Sequence, residues 1–174
     1  MSILIDLRSV IDEGVGASLT TSGDTTALGT DLRLGDMDYC CASPIRYDIS
    51  FVHAGEAIHA SIKVSTDLST ACVRCLCDFA FPLTSEVEET YFFEPTDDEH
   101  GDPYPVINDD EKVDIEPLVR EALLVEAPFA PIHDEDCQGL CVKCGADLNQ
   151  DDCGCEEEPS KDHPFAGLKD LIKE

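Results

Sequence analysis

Cys141-Val142-Lys143-Cys144-Gly145, followed by Cys153-Gly154-Cys155, is the arrangement in this chain best suited to chemistry. Two thiols separated by two residues, on a tight turn that ends in glycine, present both sulfurs to one ion. The glycine lets the chain turn so that backbone N–H groups point at those sulfurs. The Cys153–Cys155 pair, eight residues further on, completes a four-sulfur tetrahedral shell of the kind zinc favours. With Cys137 the segment holds five cysteines in 19 residues and has hardly any core-forming side chains. Loose thiols or disulfides are the alternative reading. A stretch this short cannot order itself by burial, however, and a bound structural zinc is the better source of its order.

A second cluster is Cys72-Val73-Arg74-Cys75, with Cys77 close behind. The pair falls between two expected strands, a natural knuckle position, whereas a redox Cys-x-x-Cys usually sits where a strand enters a helix. It lacks two ligands. Cys137 is the expected third, with His133 or a water as the fourth. A rival arrangement joins Cys72 and Cys75 to Cys141 and Cys144 in one ribbon-like site. Cys77 is expected to point away from its neighbours by strand parity and is left out. Cys40 and Cys41 have no partner spacing.

None of this is catalytic spacing. A catalytic zinc keeps an open position beside a general base, while shells built of cysteine are closed. A nucleophile-elbow serine, a phosphate-cradling glycine loop and a zincin helix are absent from the sequence. The carboxylates between Glu94 and Lys112 do not follow the spacing of a calcium loop. The chain is therefore expected not to be an enzyme.

The elements that must position these cysteines read mainly as strands. Alternation of apolar and polar residues marks Asp31–Cys40, Ile45–His53, Ala57–Val64 and Asp78–Phe93, with a weak start at Ile3–Leu7. Gly14–Thr30, rich in Gly, Ser and Thr, reads as a mobile loop, and Glu94–Lys112 as an acidic flexible one. A helix follows, with Asp114 as N-cap, Pro117 in its first turn, Ile115, Leu118, Val119, Ala122 and Leu123 on one stripe, and Pro128 as its stop. A short final helix is expected from Pro164, with Phe165, Leu168, Leu171 and Ile172 on one face. The expected fold is α+β: an antiparallel, barrel-like β-meander packed by one main helix, then a C-terminal zinc knuckle and a short last helix. The chain divides into a β-rich part (1–93), the acidic loop (94–113) and a helix with the cysteine-rich part (114–174), expected to form one compact domain.

The formal net charge is −27, from 38 acidic and 11 basic residues in 174. It is uneven: from Glu86 onward 27 acidic side chains face 6 basic ones, against 11 and 5 before it. Such a field repels phosphate backbones and steers basic partners. No run of the sequence approaches a membrane span and no secretory leader is visible, so a reducing cytoplasmic setting is expected, in which clustered thiols bind metal rather than pair.

The order of these motifs is specific. Cys72-Val73-Arg74-Cys75-Leu76 precedes an acidic loop and the helix Asp114-Ile115-Glu116-Pro117-Leu118-Val119-Arg120-Glu121-Ala122-Leu123-Leu124. Then come Ala127-Pro128, His133 to Cys141, Cys144-Gly145, and a tail reading His163-Pro164-Phe165-Ala166-Gly167-Leu168. From about Ser43 onward the chain resembles the YceD family, the large ribosomal RNA subunit accumulation proteins of bacteria and plastids. The resemblance implies a non-enzymatic role in synthesis, processing or stability of the large-subunit (23S) ribosomal RNA, and a connection with a large-subunit ribosomal protein. Combined with the charge, it predicts an acidic surface that engages a basic ribosomal protein or a pre-ribosomal particle rather than naked RNA. A zinc-dependent adaptor outside ribosome assembly and a thiol redox or metal-regulated switch built on Cys72 and Cys75 are the alternatives.

Overall fold

The computed structural model describes residues 2–26, 28, 32–97 and 100–155. Its organising element is a long hairpin. Strand β6 (Ala57–Ala71) pairs with β7 (Asp78–Phe92) residue for residue, from Ala57 opposite Phe92 to Ala71 opposite Asp78. Along β6 one parity is buried without interruption: Ile58, Ala60, Ile62, Val64, Thr66, Leu68 and Thr70 all face inward. Side chains alternate across a strand, so the next inward position after Thr70 is Cys72, which is fully buried. The strand's own periodicity thus aims the first cysteine.

The other edge of β6 is shared. Its first half takes β5 (Ile45–His53), and its second half takes β4 (Met37–Cys41) through Cys40 opposite Ser69 and Cys41 opposite Leu68. β5 carries β2 (Ser18–Thr25), and β4 carries β3 (Leu32–Leu34), giving an antiparallel sheet of six strands. The sheet is open. The barrel-like closure expected from the meander does not form, because alternation reports which face is buried and carries no information on strand number or stagger.

The stretch read as a mobile loop contains β2, paired from Ser18 opposite Val52 to Thr25 opposite Ile45. Its alternation is carried by Thr, Ser and Gly, so hydropathy hides it. Gly23 stands where the Tyr47 ring crosses the strand; a Cβ there would lie 2.5 Å from the Tyr47 hydroxyl oxygen.

The main helix, here α2 (Glu116–Glu126), buries Leu118, Val119, Ala122 and Leu123 against the sheet. Its N-cap position is Ile115, one residue later than expected. The Asp114 carboxylate still serves the helix start, accepting from the Glu116 N–H at 3.0 Å and from the Ile3 N–H at 2.9 Å. That second bond ties down the amino-terminal strand β1 (Leu4–Asp6), which pairs with β8 (Lys112–Asp114) in a separate two-stranded ribbon. A short helix, α1 (Arg8–Glu13), follows β1 and buries Val10; the sequence reading did not anticipate it. Between β7 and β8 the chain returns to the core at Ile107, whose N–H donates to the Phe92 carbonyl at 2.9 Å. The final helix expected from Pro164 lies outside the described residues. Among the described residues no helix is long and apolar enough to cross a membrane.

Candidate metal centres

The turn that closes the β6–β7 hairpin is Cys72 to Cys77. The Cys72 N–H donates to the Cys77 carbonyl at 2.8 Å, and the Leu76 N–H to the Cys72 carbonyl at 2.9 Å. Sixty-odd residues later the same pattern recurs: the Cys141 N–H donates to the Ala146 carbonyl, and the Gly145 N–H to the Cys141 carbonyl, both at 2.8 Å. The two Cys-x-x-Cys turns are therefore built alike, down to a left-handed fifth residue. That residue is Gly145 at φ 74° in one turn and Leu76 at φ 61° in the other. Leucine in this conformation carries a steric cost, and its side chain is 66% exposed, so it recovers little by packing. Leu76→Gly is expected to raise the unfolding free energy by about 1 kcal/mol in urea denaturation, the reverse of the usual sign for a glycine substitution. A loss of stability would mean that the turn is not strained.

Around the first turn the structure gathers Cys72, Cys75, His133 and Cys137, whose ligand atoms all lie within 4.8 Å of one another. Backbone bonds bring the distant half in. The Val73 N–H donates to the Pro131 carbonyl at 2.9 Å, and the Leu140 N–H to the Arg74 carbonyl at 3.1 Å. The Arg74 guanidinium donates to the carbonyls of Cys137 at 3.0 Å and Glu135 at 3.2 Å. Gly139 packs so closely that a Cβ would lie 3.1 Å from the Arg74 carbonyl oxygen, and its φ of +74° suits only glycine well.

The distances discriminate among donors. A tetrahedral ion with metal–sulfur bonds of about 2.3 Å sets neighbouring sulfurs about 3.8 Å apart, and a sulfur and an imidazole nitrogen about 3.5 Å apart. Cys72 and Cys137 have their sulfurs 3.9 Å apart, and the Cys75 sulfur lies 3.4 Å from His133 Nδ1. These are the edges such an ion would impose. Strand parity puts Cys77 on the face of Phe79, not away from the cluster as expected, and its sulfur lies 3.1 Å from that of Cys75. That separation is too short for two ligands of one tetrahedral ion and far too long for a disulfide of about 2.05 Å. Cys77 thus lies beside the group formed by Cys72, Cys75, His133 and Cys137.

The second cluster is Cys141, Cys144, Cys153 and Cys155, again with all sulfurs within 4.8 Å. The return to Cys153 is shaped by Asp147, which accepts from the Asn149 N–H at 3.0 Å, its side-chain N–H at 2.7 Å and Gln150 at 2.8 Å. Gly154 adopts φ 66° between the two cysteines and donates its N–H to the Asp152 carboxylate at 2.9 Å. The ribbon-like alternative, pooling Cys72 and Cys75 with Cys141 and Cys144, is not what the structure assembles. Cys40 and Cys41 lie on β4 and belong to neither cluster.

Electrostatics give both clusters the same character. Burial pushes the Cys72 thiol up, but hydrogen bonds from His133 and from the backbone N–H groups of Cys75, His133 and Arg74 outweigh it and hold it at about 5. The backbone N–H groups of Cys144 and Lys143, with Cys153, bring Cys141 to about 6. The thiols of Cys144 and Cys153 push Cys155 up to about 12. Burial, followed by the neighbouring thiols of Cys75 and Cys72, raises Cys137. Cys72 and Cys141 thus ionise easily, while Cys75 and Cys137 in the first cluster and Cys153 and Cys155 in the second are raised, because adjacent thiolates repel unless a cation sits between them.

The clusters also touch. Asn149, in the loop of the second, donates its side-chain N–H to the Cys137 sulfur at 3.6 Å and accepts from the Gln138 N–H at 2.8 Å. The Leu148 N–H reaches the Gly139 carbonyl at 3.0 Å. Sequence reasoning missed Asn149, and no spacing rule would have found it.

The family model described as "Large ribosomal RNA subunit accumulation protein YceD" matches residues 60–172, which include every cysteine of both clusters. The chain is 25% identical over 179 residues to the "Large ribosomal RNA subunit accumulation protein YCED homolog 1, chloroplastic" of Arabidopsis thaliana, covering 86% of this chain and 56% of the plant protein. It is 25% identical over 155 residues to the uncharacterized protein YlbN of Bacillus subtilis, covering 87% of this chain and 83% of that one. It is 28% identical over 118 residues to an uncharacterized protein of Mycobacterium leprae, covering 61% of this chain and 50% of that one. The chain thus spans little more than half the length of the plant relative. No solved structure matches it. The family match runs over most of the chain and takes in the hairpin, the main helix and both cysteine clusters, so this chain belongs to the YceD family.

Proposed function

We propose that the protein is a non-catalytic factor for accumulation of the large-subunit (23S) ribosomal RNA, held in shape by two structural zinc ions and acting on a basic ribosomal protein. The observation that carries this reading is the family match, joined to a net charge of −27. A surface so acidic is ill suited to a phosphate backbone and well suited to shielding a cationic assembly partner.

Cys72, Cys75, Cys137 and His133 would hold one ion, and Cys141, Cys144, Cys153 and Cys155 the other. Soft thiolate donors in tetrahedral array favour zinc over hard cations. Both donor sets are complete at four, which leaves no open position for a reacting water. The zinc would then act by ordering the segment after α2, and the chain would work in the cytoplasm beside assembling ribosomes.

Binding to purified basic proteins of the large subunit is expected to weaken at least tenfold between 50 and 300 mM salt, as on-rates driven by opposite charge fall with screening. Naked 23S RNA, titrated in the same buffers, is expected to show no saturable binding. Tight RNA binding at about 150 mM salt would overturn the reading.

A further inference from the structure

Beside α2 lies an open groove of about 590 Å³, floored by Leu34, Pro117, Leu124, Val125 and Phe129. Phe129 is 79% exposed and Val125 63% exposed. A single exposed apolar residue needs no explanation, but an aromatic and an aliphatic side chain sharing one concave patch are a different matter.

Phe129 is held outward by its neighbours. Before it, the buried Ala127 donates its N–H to the Leu123 carbonyl at 3.1 Å, and the buried Tyr39 hydroxyl donates to the Pro128 carbonyl. After it, Pro131 accepts from the Val73 N–H of the first cysteine turn. A ring presented by backbone pinned on both sides gives up little entropy on binding, which is how interface anchors work. The rim holds Glu121 and the Glu116–Arg120 ion pair at 2.8 Å, two carboxylates to one guanidinium. A groove with an apolar floor and a carboxylate at its lip, on a chain of net charge −27, complements a segment that is cationic outside and apolar at its centre.

We propose that this groove is the docking site for the basic partner: a lysine- and arginine-rich protein segment that seats one apolar side chain against Phe129 and Val125. The proposal rests on the function argued above and names the surface that performs it. It also gives the first cysteine cluster a consequence, because the Val73–Pro131 bond joins that cluster to the Phe129 turn.

The test uses the full zinc-loaded chain with the photoreactive residue p-benzoylphenylalanine at position 129, mixed with proteins extracted from purified large ribosomal subunits and irradiated. Crosslinking to a basic ribosomal protein is expected, and Val125→Asp should reduce its yield about tenfold or more, with unchanged metal content and circular dichroism. Crosslinks to residues 156–174 of the same chain, to a second copy, or to nothing would overturn the proposal. The unsubstituted chain is assayed in parallel for salt-sensitive capture of the same proteins. Capture without crosslinking would overturn the groove and leave the partner reading standing; absence of capture would remove both.

Discussion

Native mass spectrometry of the reduced chain is expected to count two zinc ions, and a strong chelator to remove both and release residues 131–155 while the body stays folded. The apolar core runs from Leu7 to Ala127 and is distinct from the small cluster of Cys72, Cys75 and Cys137. Among the described residues from Pro128 to Cys155, only Pro131, Cys137 and Gly139 are buried. Burial at about 25 cal/mol per Å² cannot order such a stretch. Structural zinc in small peptides supplies on the order of 10–16 kcal/mol, as much as a whole domain's net stability. Hydrogen exchange is the measurement. Amides of residues 131–155 should lose their protection after chelation, and those of β5, β6 and α2 should stay protected at a level lowered only by the stability lost with the first centre. A zinc-free, reduced protein that stays protected through Cys155 would refute the assignment.

Strands whose inward faces are apolar were legible in the sequence. Ile45–His53 is a strand with the bounds its alternation predicts, and the Asp78 strand ends one residue from its expected limit. The Ala57 strand runs seven residues beyond Val64, because its inward positions there are Thr66, Leu68 and Thr70. Buried threonine looks like loop composition until the partners of its hydroxyl are known. Thr66 donates to the Ser43 carbonyl at 3.0 Å and Thr70 to the Asp38 carbonyl at 2.9 Å, and both acceptors arrive from another part of the chain. Such satisfaction is a tertiary fact and leaves no local mark.

The cysteine clusters divide the same way. Cys141, Cys144, Cys153 and Cys155 are close in sequence, and spacing alone groups them as the structure does. The other cluster spans sixty-six residues from Cys72 to Cys137. There, spacing could suggest Cys137 but left His133 level with a water, and it turned Cys77 the wrong way. His133 joins because the Pro131 and Arg74 backbone bonds deliver the loop after α2 to the hairpin tip.

That difference in construction makes the two centres unequal. Cys72→Ser is expected to cost far more than Cys153→Ser. Cys72 is fully buried at the end of β6's inward row and is grouped with donor atoms delivered from beyond α2. Losing it would free the Val73–Pro131 and Arg74–Cys137 bonds, cut the cysteine-rich segment from the sheet and loosen the Phe129 turn. The second centre is local. Losing Cys153 would unravel the loop from Cys141 to Cys155 and take with it the Asn149 hydrogen bond to the Cys137 sulfur. Outer-shell bonds of that kind are worth about 10–100-fold in metal affinity. Cys153→Ser should therefore retain one zinc, bound more weakly, with the melting temperature of the body within a few degrees of the parent's. Cys72→Ser should lower that temperature by about 10 °C or more, since breaking a buried ligand set costs several kcal/mol and each shifts a domain of this size by about 2–4 °C. Metal counting and calorimetry on the two variants decide it: equal losses would mean that the centres stand or fall as one unit, and a milder Cys72→Ser would reverse the order argued here.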